Sequence, residues 1–161
     1  MLDTSEDSVA SALRRARATI AERHGPNARD EAPLPGSARE RAIVETFATA
    51  FENGDVDGVV ALLTDDAWMT MPPVPLEYHG ISAIAEFLAR VSFRDERRFS
   101  CVLTRANGQP AFAAYLIDAD TRQRHAHGLV VLNLSGDRVA ALTRFEPTLF
   151  GDFGLPDYLP A

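Results

Sequence analysis

The 161-residue sequence contains no lysine, and all sixteen of its cationic side chains are arginine. That absence is a trait of composition and carries no chemistry of its own. Cysteine is nearly absent too: Cys101 stands alone, which excludes an internal disulfide and frees the fold from any need for an oxidising compartment. Without a second thiol or metal-ligand spacing, it offers no zinc site. No apolar run approaches the roughly 20 residues that span a bilayer, and the first residues lack the charged-then-apolar layout of a signal peptide. No membrane partner is expected, and a cytoplasmic location is the simplest expectation. Positive charge is also in deficit, with a net charge of -7 and a pI near 5.0. A surface of that sign repels nucleic acid, whose backbone is bound through clustered cations.

What is present is a hydrophobic content of 46%, enough for one domain with a core and an appendage. In residues 1–24 the stretch LDTSEDSVASALRRARATI has Thr4 as an N-cap with Asp7 three positions on. Acidic side chains lie early and arginines late, and Val9, Leu13, Ala16 and Ile20 form one apolar stripe, which predicts a helix in need of a packing surface. Residues 25–36, GPNARDEAPLPG, have the composition of a linker. A domain over residues 37–150 opens with a capping box at Ser37 and Glu40, followed by Ile43, Val44, Phe47, Ala48 and Phe51 at helical spacing. This helix stops near Asn53-Gly54. A second short helix starts at an Asp55 cap, and together they make a helical hairpin.

DAWMTM then reads as a strand, PPVPLEYHG as a proline-forced loop and ISAIAEFLARV as a third helix. RRFSCVLTRA, AFAAYLID, HAHGLVVLNL and DRVAALTRFE are strand-length runs separated by the turn signals NGQP, DADTRQ and LSGD. They predict an antiparallel meander covered on one face by helices, an α+β layout. A sheet curled around its helices leaves room for an apolar cavity. The tail, residues 151–161, joins Phe150 in an apolar segment that is expected to pack on the domain or on a partner.

The order helix, helix, strand, helix and four strands, with FENGDVDGVVALLTDDAWMTMPPVP, resembles the SnoaL-like branch of the nuclear transport factor 2-like (NTF2-like) superfamily. The resemblance implies a cone-shaped fold with an internal pocket. More narrowly, WMTMPPVPLEYHG, TRANGQPAF, LTRF and FGLP resemble the C-terminal extension of a subset of extracytoplasmic-function sigma factors. In that family the domain follows the region that reads the promoter, so residues 1–24 resemble the recognition helix of a helix-turn-helix. The rest of that motif and the polymerase-binding region have no counterpart here, which implies a fragment of such a protein or a descendant of one. Over residues 1–24 Arg14, Arg15, Arg17 and Arg23 are matched by Asp3, Glu6, Asp7 and Glu22. No stable DNA binding by this chain alone is expected. The sigma-factor core or RNA polymerase is the implied partner.

Candidate chemistry sits on the strands. Strict alternation in HAHGLVVLNL places His125, His127, Leu129, Val131 and Asn133 on one face. His127 and Asn133 are expected in the pocket as hydrogen-bonding groups, His127 with a proton exchangeable near neutral pH. No third ligand joins His125 and His127, so neither a metal nor a cofactor is expected. Asp118 and Glu146, at strand ends, are candidate general bases beside His127, although an acid before a turn is more often a solvated cap. Arg144 is placed either to brace Glu146 or to hold an anionic ligand. Trp68, Met69, Met71, Tyr78 and Tyr115 are expected to line an apolar pocket, or else to fill a plain core. The expected function is regulatory: binding a small apolar molecule or packing on a sigma core to tune transcription. The alternative is an isomerase, cyclase or epoxide hydrolase of the same fold, and a third reading is a homodimerisation module.

Overall fold

A computed structural model describes residues 32–160, together with Ser11, Leu13, Arg14, Arg15 and Thr19 of the opening segment, which are helical. Leu13 is exposed, whereas Val9, Ala16, Ile20 and the linker up to residue 31 lie outside the described residues.

Helix α1, Ala38–Glu52, begins where the sequence marks it. The Ser37 hydroxyl accepts from the Glu40 amide at 3.2 Å, while the Glu40 carboxylate reaches back one residue beyond the usual box to accept from the Gly36 amide at 2.8 Å. A turn through Asn53 and Gly54 leads to helix α2, Val56–Ala61, where Asp55 accepts from the Gly58 amide at 2.9 Å. Strand β1, Leu63–Met71, follows directly.

The segment after β1 departs from the expected loop. Val74–His79 is a strand, β2, paired antiparallel to β1 from Trp68↔His79 to Met71↔Val74. Its one proline, Pro75, is compatible with pairing because β2 is the edge of the sheet, where a missing amide donor costs no ladder bond. Helix α3, Gly80–Phe87, then widens into a π turn, Leu88–Ser92.

The meander follows as β3 (Phe99–Ala106), β4 (Gln109–Ile117), β5 (Arg124–Ser135) and β6 (Arg138–Phe145). The curved, unclosed sheet has the order β2-β1-β6-β5-β4-β3. Its one departure from the antiparallel expectation is β1 against β6, which run parallel. A 3-10 turn, Pro147–Phe153, and a two-residue strand, β7 (Tyr158–Leu159), end the chain, β7 pairing with Arg124 and His125 of β5.

Each face of the sheet has its own core. On the inner face Phe47, Phe51, Val59, Ile84, Phe112 and Leu132 join helices to strands. On the outer face Tyr115, Leu129 and Val131 pack against Phe150, with Phe153, Leu155 and Leu159 at the margin. The tail thus covers the outside of its own sheet. Cys101 is a half-buried member of the inner core, and burial, reinforced by Glu52, pushes its thiol pKa up.

Glu40 ties the start of α1 to the sheet. It is 5% exposed and takes hydrogen bonds from both terminal nitrogens of Arg105 on β3 as well as from Gly36. Burial raises the pKa of this carboxyl, but the bonds from Arg105 and Gly36 outweigh burial and hold it below its ordinary value. Glu40→Ala is expected to cost about 2–3 kcal/mol in chemical denaturation, because an arginine and an amide lose a charged acceptor. A group with a depressed folded pKa stabilises above its unfolded pKa, and that stability is lost as pH falls through the folded one. The penalty is therefore full at neutral pH and shrinks in acid; a penalty no smaller in acid would contradict this account.

Candidate functional site

The site is organised by one irregularity in β5. Ala114 of β4 pairs with Gly128, but the next residue, Tyr115, pairs with Ala126, so His127 is an extra residue in β5. This β-bulge breaks the alternation on which the sequence reading rested. Ala126 joins Leu129 and Val131 on the outer face, whereas His127 turns inward beside Gly128 and Val130. The carbonyl of His127 accepts from Arg144 Nη2 at 2.7 Å. Arg144 Nη1 in turn donates to Glu146 Oε1 at 2.7 Å. Gly128 makes room for this arrangement: a Cβ there would stand 2.9 Å from Arg144 Nε and 3.0 Å from the Phe145 carbonyl oxygen.

Between α1, the end of α3 and the inner face lies a cavity of about 310 Å³. Its floor is apolar, with Phe47, Phe51, Ala114, Val130 and Leu142. Its lips are Val74 and Leu76 of β2 and Val91 of the π turn, each 45–47% exposed despite being aliphatic. The polar side consists of Ser92, Arg97, His127, Arg144 and Glu146. His127 packs its ring against Phe99, centroids 5.1 Å apart. Burial, followed by the positive charges of Arg144 and Arg97, lowers its pKa to about 4, so the imidazole is neutral near pH 7. It can donate or accept a hydrogen bond there without carrying charge.

Of the residues the sequence reading nominated, Met69, Met71, His127, Arg144 and Glu146 line this cavity. Five do not. Trp68 points away from it and stacks near His79, centroids 4.8 Å apart. Tyr78 packs its ring 4.7 Å from Phe87 instead of facing the cavity. Tyr115 is fully buried on the outer face, its hydroxyl donating to the Pro156 carbonyl at 3.0 Å and its ring set against Phe150. Asn133 accepts from Gln109 at the far end of the β4–β5 ladder. Asp118 is a turn cap, accepting from the Thr121 amide at 2.7 Å, the Thr121 hydroxyl at 2.8 Å and the Asp120 amide at 3.0 Å. These bonds, led by the one from the Thr121 amide, lower its pKa; they suit a solvated carboxylate and not a base.

Arg97 and the aliphatic lips are cavity residues that no sequence pattern marks. Arg97 sits just after a short 3-10 turn, Arg94–Glu96, where no periodicity assigns it a face. The bulge did leave a trace, since an isolated glycine within a strand pattern, Gly128, is a recognised mark of one. Among the described residues no cluster of His, Cys, Asp or Glu has the spacing to hold a metal ion.

A curved sheet wrapped around helices, with an apolar cavity on its inner face, defines a class as well as a shape. Residues 44–142 match the SnoaL-like domain family, and the chain belongs to that family. It is 36% identical over 163 aligned positions to "ECF RNA polymerase sigma factor SigG" of Mycobacterium tuberculosis, an alignment covering 98% of this chain. The chain spans 42% of that relative's length. Among solved structures it is similar to an NTF2-like protein of Mesorhizobium loti, with 15% identity, a TM-score of 0.56 and coverage of 71% of this chain and 95% of that one. It is also similar to an LEH-like epoxide hydrolase of M. tuberculosis, with 22% identity, a TM-score of 0.53 and coverage of 70% and 85% respectively. At such identities the likeness to solved structures concerns the fold alone.

Two outcomes follow from the bulge. Gly128→Ala is expected to destabilise the domain by about 1–3 kcal/mol in chemical denaturation, because neither Arg144 nor the Phe145 carbonyl can retreat freely. His127 should titrate by NMR near the lowered value of about 4. An unfolded histidine takes its proton near pH ~6.5, so between these two values the unfolded state binds more protons and the domain loses stability as pH falls. His127→Gln should remove that part of the slope. An unchanged slope, or a His127 midpoint in the ordinary histidine range, would rule the buried neutral imidazole out.

Proposed function

We propose that this chain is the SnoaL-like C-terminal domain of an extracytoplasmic-function sigma factor, and that it modulates transcription initiation by binding a small molecule in the inner cavity. One observation carries the ligand-binding half of this reading: the helices and sheet leave about 310 Å³ unfilled above an apolar floor, with aliphatic lips open to solvent. Cavities of roughly 300–1,000 Å³ with a few converging polar groups are the usual form of a small-molecule site. The sigma-factor half is supported by the 36% identity that runs through 98% of the chain. Sigma regions and RNA polymerase are the partners this reading implies, with the domain acting on them through its own conformation.

Binding fits the charges better than catalysis does. Glu146 is engaged by Arg144 and half exposed at the rim, and Asp118 caps a turn outside the cavity. A base for proton abstraction is expected to be shielded and uncommitted. His127, being neutral, is suited to orienting a ligand oxygen.

The test is in vitro transcription with the mycobacterial relative, its matching region either deleted or replaced by this chain. Deletion is expected to change promoter-specific initiation severalfold, and the chimera to restore it. Filling the cavity with Ala114→Phe in the chimera should mimic the deletion while leaving the melting temperature within a few degrees. Initiation indifferent to deletion, or to the filled cavity, would overturn the regulatory reading.

A further inference from the structure

The polar side of the cavity has a charge imbalance. Arg144 and Glu146 neutralise one another across 2.7 Å, and the second nitrogen of Arg144 is held by the His127 carbonyl. His127 contributes no charge near neutral pH. Arg97 remains. It lines the same cavity, is half-buried, and has no ion-pair partner among the described residues. A cation facing an apolar, partly dehydrated space without a counter-ion is a site for an anion, because its field is screened far less there than at an open surface. Ser92 lines the same side and supplies a neutral hydroxyl.

The remaining wall sets the other half of the ligand. Phe47, Phe51, Leu88, Val130 and Leu142 give no hydrogen-bonding partner, so a ligand polar at both ends would leave one end unsatisfied. The volume is at the small end of the range for ligand cavities, which excludes a large polycyclic body. One net positive charge matches one carboxylate and not a di-anion.

We infer that the cavity selects a small amphipathic organic acid, its carboxylate held at Arg97 and its hydrocarbon body lying against the Phe47, Phe51 and Leu142 floor. This inference rests on the ligand-binding reading above and narrows its ligand class. Arg97 acts as the specificity-determining residue, and Arg144, held by Glu146, fixes the bulge carbonyl on the same polar side of the cavity.

The test is calorimetric titration of the full chain with octanoate and with octanamide, which share a body and differ in charge. Octanoate is expected to bind about ten- to a hundredfold more tightly, the usual worth of a charged hydrogen bond. Arg97→Gln should abolish that preference while leaving the melting temperature unchanged, and Arg97→Lys should restore part of it. Equal binding of acid and amide, or a preference that survives Arg97→Gln, overturns the anion inference and leaves an apolar ligand site standing. Octanamide and octanoate both failing to bind, with Ala114→Phe making no difference to the titration, overturns the inference together with the ligand-binding reading beneath it.

Discussion

The polar wall that β5 and β6 give the site depends on a single extra residue in β5. Antiparallel pairing assigns alternate side chains to opposite faces, and an inserted residue resets that assignment for all that follows. Before the bulge Ala126 faces outward; after it Leu129 and Val131 do so as well, leaving His127 and Val130 to face the helices. The unpaired backbone needs a donor for the His127 carbonyl, and Arg144 supplies one from the neighbouring strand. Glu146 then balances Arg144, and Gly128 gives its guanidinium space. The four residues make one unit, in which a backbone irregularity, an ion pair and a missing side chain each account for the others.

Covering both faces of the sheet lets the inner one stay incompletely filled. The outer face is closed by the chain itself, with Phe150 fully buried against Tyr115 and β7 anchored to β5. Packing there and around Val59, Ile84 and Phe112 holds the curved sheet in place without help from the cavity. A cavity within an otherwise complete core tolerates polar groups such as His127 and Arg97, which would be costly in the packed regions.

Much of this architecture is legible in the sequence because short-range chemistry decides it. Ser37 with Glu40 and Asp55 with Gly58 mark helix starts within three residues of chain, and Asn107-Gly108 joins β3 to β4 as a tight turn. Residue type and strand position make Met69, Met71, His127, Arg144 and Glu146 candidates, and all five lie at the cavity wall. What was not legible depends on partners distant in the sequence. Pro72, Pro73 and Pro75 signal a loop until β1 is known to offer one edge. Tyr115 has the composition of a pocket residue, and only the tail folding back from residue 150 makes it part of the outer core. Arg97 is an ordinary surface arginine by sequence, and its environment comes from β5 and β6. Strict alternation puts His127 on the face of Leu129 and Val131, whereas the bulge separates it from them, so its place at the cavity has a cause that alternation does not contain.

The position of β2 sets how the cavity communicates with solvent. This strand has a neighbour on one side only, its side chains except Tyr78 are exposed, and Val74 and Leu76 form one lip of the entrance. Paired on one side only, β2 is expected toward the low free-energy end of the hydrogen-exchange opening spectrum, below the amides of β4 and β5, which have neighbours on both sides. Access of solvent to the cavity can therefore proceed through a subglobal opening of one edge, its rate a kinetic property of β2 and not of the domain's overall stability.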